Sequence, residues 1–128
     1  MDVDGEILGL DHVQLAMPAG READARRFYK DVLGISEKPK PPNLAVRGGC
    51  WFESDAVRIH LGVDPDFRPA RKAHPALLVK GIDAYRRRLL SAGYTLSEDE
   101  PLVGYDRFYV EDPFGNRLEM LEPSPVVL

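Results

Sequence analysis

The chain has 128 residues, 44% of them hydrophobic and 30% charged, which is enough to bury a core in a single domain. A formal charge of -4 gives no basic footprint for general nucleic-acid or membrane-surface binding, so neither partner is expected. One cysteine, Cys50, excludes an internal disulfide and a multi-cysteine zinc site. No cationic segment followed by an apolar run opens the chain, and the expectation is a cytoplasmic protein in which Cys50 is a buried structural thiol.

After a polar lead of eight residues, Gly9 to Met17 alternates as a strand, with Val13, Leu15 and Met17 on one face and Leu10, His12, Gln14 and Ala16 on the other. Pro18 to Gly20 break it. Arg21 to Leu33 reads as a helix, with Glu22 and Asp24 in its first turn, an apolar stripe of Ala25, Phe28, Val32 and Leu33, and Gly34 past its end. Three prolines restrict Ile35 to Asn43 to an edge strand or loop. Two strands are expected next, Leu44 to Glu53 and Val57 to Val63, joined at Ser54-Asp55. In the second, Val57, Ile59, Leu61 and Val63 oppose Arg58, His60 and Gly62. Asp64 to Lys72 is a loop carrying Arg68, Arg71 and Lys72.

The same order then repeats. A strand carries His74, Ala76 and Leu78 on one face, and Gly81 to Ala92 is a helix with a stripe of Ile82, Tyr85, Leu89 and Leu90. Thr95 to Glu98 is a short edge strand and Tyr105 to Glu111 a longer one. The turn Asp112-Pro-Phe-Gly-Asn116 leads into a last strand that places Arg117, Glu119 and Leu121 opposite Leu118 and Met120. Gly34 precedes His60 by the interval that separates Gly93 from Glu119, 26 residues. Arg58-Ile-His-Leu61 stands where Arg117-Leu-Glu-Met120 stands, and His12 and His74 match in the two leading strands. The reading is an α+β domain of two βαβββ modules, about 8–63 and 73–123, joined by the linker 64–72.

A carboxylate in mid-strand between apolar neighbours needs a partner or a metal. His12, His60, His74 and Glu119 all lie on the face opposite the helix-packing stripe. If they converge, a divalent cation satisfies them, and imidazoles with one carboxylate suit Zn, Ni, Fe or Mn.

Leu10-Asp-His-Val13, Phe28-Tyr-Lys-Asp-Val-Leu-Gly34, Ala73-His-Pro-Ala76 and Tyr109-Val-Glu-Asp-Pro-Phe-Gly-Asn-Arg-Leu-Glu119 resemble the vicinal oxygen chelate superfamily of glyoxalases, extradiol dioxygenases, fosfomycin-resistance thiol transferases and bleomycin-resistance proteins. The resemblance covers nearly all of residues 8 to 123. It implies paired βαβββ modules curled into a half-barrel with helices outside, a homodimer built side by side or with modules exchanged, and a metal triad of His12, His74 and Glu119. It also implies metal-dependent chemistry on a small oxygenated substrate, of lyase, isomerase, thiol-transferase or dioxygenase type. Glu119 then serves as ligand and, if displaced, as base, with Gln14, Arg107 and Tyr109 as substrate contacts. Where glyoxalase I carries a glutamate as fourth ligand this chain has His60. The alternative is a metal-free binding protein of the bleomycin-resistance type.

Overall fold

A computed structural model describes residues 4–124, so the first three residues of the polar lead and residues 125–128 lie outside the description. The first module runs β1 (Val13–Met17), α1 (Glu22–Ala25) continuing into a π-helical segment (Arg26–Val32), β2 (Glu37–Lys38), a short α2 (Pro42–Ala45), β3 (Cys50–Ser54) and β4 (Val57–Val63). The second runs β5 (Ala76–Leu78), α3 (Ile82–Ser91), β6 (Leu96–Ser97), β7 (Tyr105–Glu111) and β8 (Arg117–Pro123). Each module forms a four-stranded sheet, ordered β1-β4-β3-β2 and β5-β8-β7-β6. In each the leading strand pairs parallel with the last, and the remaining pairs are antiparallel.

The register confirms the internal repeat residue by residue. Gln14 pairs with His60 as Ala76 pairs with Glu119, so His12 and His74, each two residues earlier, are equivalent. Alternation then divides each sheet into two faces. Leu15, Met17, Phe52, Ile59 and Leu61 in one sheet, and Phe108, Val110, Leu118 and Met120 in the other, are buried against Phe28, Tyr29, Ile82 and Leu89 of the helices in one core. The opposite faces carry the polar groups. Cys50 is buried in this core, where loss of hydration pushes its thiol up to about 11, which fits a structural role.

Four elements differ from the sequence expectation, one of them the strand expected to carry His74, which begins at Ala76 and leaves His74 just ahead of its ladder. The strand expected over Leu44 to Glu53 begins only at Cys50. Pro41-Pro42 opens a helical turn instead, and Gly48 and Gly49 follow it with positive φ, at 77° and 84°. The first strand begins at Val13 and not Gly9, which leaves His12 just ahead of the ladder. The first helix turns π-helical after Ala25, where the Leu33 N–H donates to the Phe28 carbonyl at 2.9 Å. In the wider turn the adjacent Phe28 and Tyr29 are both fully buried.

The turn after β7 locks the two modules together. Asn116 donates from Nδ2 to the Ala16 carbonyl at 2.8 Å and accepts from the Ala70 N–H at 2.9 Å. Tyr29 donates from its hydroxyl to Asp112 Oδ2 at 2.6 Å.

Candidate metal and substrate site

On the polar face of the first module three rings form one row. His60 lies between Trp51 and His12, with centroids 4.3 and 4.2 Å away and near-parallel planes. Register explains half of the row, since Trp51 sits directly opposite His60 across the β3–β4 ladder. His60 Nε2 donates to Glu53 Oε2 at 2.7 Å, and this bond, followed by the charge of Lys38, holds the Glu53 carboxyl below its usual range. His12 Nδ1 donates to Asp11 Oδ2 at 2.9 Å, and Arg58 holds the other Asp11 oxygen at 2.7 Å. With its Nδ1 hydrogen committed, neutral His12 presents a bare Nε2.

The second module prepares its histidine in the same way. His74 Nδ1 is 2.8 Å from the Lys72 carbonyl, which can only accept, so in the neutral ring the hydrogen lies there and Nε2 is a bare lone pair. That lone pair lies 3.0 Å from Glu119 Oε1. Glu119 Oε2 faces Arg107 Nη1 at 3.4 Å, and the same nitrogen donates to the Tyr109 hydroxyl at 2.5 Å. Tyr109 meets the edge of His74 and lies beneath the Arg117 guanidinium, 3.7 Å from its ring centre. Arg107, Tyr109, His74 and Glu119 thus form one network. Gln14 stands apart from it, on the first module, where its amide lies over Gly62. A Cβ added at Gly62 would meet Gln14 Nε2 at 2.6 Å.

The four ligand candidates therefore gather as two pairs, His12 with His60 and His74 with Glu119. Among the described residues no three His, Cys, Asp or Glu side chains come together as a group that could hold a metal ion within one chain. Trp51, Glu53 and Arg58 were not singled out from the sequence, although the repeat contains the signal. Trp51 opposes His60 as Tyr109 opposes Glu119, and Arg58 pairs with Glu53 as Arg117 pairs with Glu111.

Paired βαβββ sheets, each with a polar face of imidazole, carboxylate and arginine opposite its helix, define a two-module α+β class of proteins. The sequence profile of the Glyoxalase/Bleomycin resistance protein/Dioxygenase superfamily matches residues 9–120, and the chain belongs to that superfamily. A glyoxalase family protein from Bacillus anthracis, known from its crystal structure, shares 45% identity, with a TM-score of 0.89 over 95% of this chain and 100% of that one. The fosfomycin resistance protein FosX from Listeria monocytogenes has the same fold at 17% identity, with a TM-score of 0.75 over 93% of this chain and 94% of its own. So does TnmS3, an antibiotic binding protein from Streptomyces sp. CB03234, at 18% identity and a TM-score of 0.70 over 93% of this chain and 100% of its own. No curated protein matches the sequence.

Proposed function

We propose that the chain works as a homodimer in which His12 of one copy joins His74 and Glu119 of the other around a divalent cation, and that the assembled site acts on a small oxygenated substrate. The observation that carries this reading is the pair His74 Nε2 and Glu119 Oε1. Two acceptors 3.0 Å apart repel unless a proton or a cation serves both. A spacing of 3.0 Å suits a shared proton or two ligands held about 2.0–2.1 Å from one ion at a right angle, and in this reading the ion takes the place of the proton. The Lys72 carbonyl and Asp11 fix the two histidines by their far nitrogens, as outer groups fix metal-bound imidazoles. The set suits Zn, Ni, Fe or Mn.

A cation bound there would supply Lewis acidity for negative charge that develops on vicinal substrate oxygens. The chain's own residues do the rest. Arg107 steadies Glu119 and the Tyr109 hydroxyl, so that its guanidinium and that hydroxyl stand beside the carboxylate. Glu119, if displaced from the ion, is the base. His60 is held by Glu53 and covered on both ring faces, so in this reading it orients His12 and acts as a ligand only conditionally. Lyase, isomerase, thiol-transferase and dioxygenase chemistry all remain within the proposal.

The open edges of β1 and β5 support two copies. Each of these strands has one ladder partner among the described residues, and the groove between them carries Leu10 and Leu78, 83% and 71% exposed. A second reading, metal-free ligand binding, draws on the lack of a three-donor group among the described residues of one chain. Metal analysis of tag-free protein purified without chelators separates the two, since the enzyme reading expects stoichiometric metal. The shared site has a sharper test. His12→Ala and Glu119→Ala homodimers should both lack metal, and a mixed dimer of the two variants should regain one intact site in two. No recovery on mixing would show that all ligands come from one chain.

A further inference from the structure

We infer that the cavity between α2, β3 and β4 is an oxyanion subsite that holds the carboxylate or phosphonate end of the substrate against an apolar wall. The inference rests on the proposed reading of the polar sheet face as the substrate site, and it names the substrate class. The cavity is about 240 Å³. Lys40 and Arg47 line it beside the Gln14 amide, with Trp51, Leu44 and Val63 as its apolar side. Trp51 also stacks on His60, so the cavity borders the row of rings that ends in His12.

Charge gives the cavity its selectivity. Among the described residues two cations and no carboxylate line it, in a chain whose net charge is -4. Glu22, which approaches the same loop, is engaged by the Gly49 N–H at 3.2 Å. Lys40 donates to the Gly48 carbonyl, which anchors the ammonium at the rim and leaves further donors for a ligand. Among the described residues Arg47 makes no ion pair, so its guanidinium is free for bidentate capture of an oxyanion. Gly62 contributes through what it lacks, because the Gln14 amide rests where a Cβ would stand and offers a donor above the sheet. A molecule with one acidic group on a small apolar or aromatic body fits this arrangement.

Trp51 is the sole tryptophan of the chain, so its fluorescence reports on the cavity wall directly. Benzoate, phenylphosphonate and the neutral analogue benzamide are titrated into protein as purified, and metal content is measured on the same sample. Benzoate or phenylphosphonate should change the emission saturably and bind at least about tenfold tighter than benzamide, with affinity falling as salt rises. Whichever anion binds tighter identifies the acid group. Arg47→Gln with Lys40→Gln should weaken both anions by about tenfold or more and leave benzamide unchanged. Because Lys40 also braces Gly48, the exposed Arg47→Glu alone is the second variant, and it should weaken the anions with an unaltered circular dichroism spectrum. Equal response to benzamide, or unchanged anion affinity in Arg47→Glu, overturns the subsite. Charge-selective binding in protein without metal would keep the subsite and sink the metal reading. Bound metal without charge selectivity would do the reverse.

Discussion

Asp112 accepts four hydrogen bonds in the core, from the Tyr29 hydroxyl at 2.6 Å, from the Phe114 and Asn116 N–H groups at 2.9 Å and from Asn116 Nδ2 at 3.0 Å. Replacing one acceptor oxygen by an NH2 sets donor against donor, so Asp112→Asn should cost about 2–3 kcal/mol in urea unfolding. Burial pushes the Asp112 carboxyl above its ordinary range, opposed by these donors. A carboxyl raised in the folded state favours folding below its unfolded value, and that contribution is lost as pH rises through the folded value. The stability gap between wild type and Asp112→Asn should therefore be widest near about pH 3 and narrow toward about pH 7. A flat gap would show that Asp112 does not titrate in this way. His60 gives a second residue-level test, because its ring faces and its Nε2 make separable contributions. If it only orients His12, then His60→Phe, which keeps a ring between Trp51 and His12, should retain metal, while His60→Ala should weaken binding by about tenfold or more. Loss of metal in both would make His60 a ligand.

Gly49 marks where an element's bounds depend on a neighbour that the local sequence does not reveal. A Cβ there would stand 2.1 Å from the Leu61 carbonyl, and φ is 84°, so Gly49→Ala should cost about 3 kcal/mol or more. Gly20 has a similar φ of 79° with nothing within 4 Å, so Gly20→Ala should cost only about 1 kcal/mol by thermal unfolding. Equal costs would mean that backbone conformation alone matters at both places. The same contrast separates what was legible in the sequence from what was not. Val57–Val63 and Tyr105–Glu111 were readable to the residue, the first because period-2 alternation runs to its ends and the second because Gly104 and the Asp112-Pro turn close an aromatic-rich run. Leu44 to Glu53 was read as one strand because its apolar residues satisfy that pattern. The helical turn at Pro42–Ala45 opens at the Pro41-Pro42 pair, and the two glycines after it are set by their close approach to Leu61 and Val63. The π-helical turn likewise gave no local signal, since Tyr29 is buried through its bond to Asp112, 83 residues away.

At the scale of the molecule, the internal repeat made the equivalence of the candidate residues legible, because equal spacing picks out equivalent positions without any three-dimensional information. It matched His60 with Glu119, which the ladder registers pair with Gln14 and Ala76, and matched His12 with His74, each two residues ahead of those partners. Their division into two pairs was beyond it, since spacing within a module is silent on how two modules face one another. In the proposed assembly that division is resolved by a second copy, and the open β1 and β5 edges are where the copies meet. Leu78 tests this coupling, because in the single chain it is 71% exposed and lies on the groove shared with His12 and Val13. Leu78→Asp should alter the folding of one chain by no more than about 0.5 kcal/mol, as surface substitutions do. Placed in a dimer contact, the same carboxylate would be buried without a partner and would oppose association by several kcal/mol. Light scattering should then give a mass near 14.3 kDa for the variant and twice that for the wild type, and metal should be lost together with the dimer although every ligand is intact. A monomeric Leu78→Asp chain that keeps full metal would place all the ligands within one chain and remove the shared site.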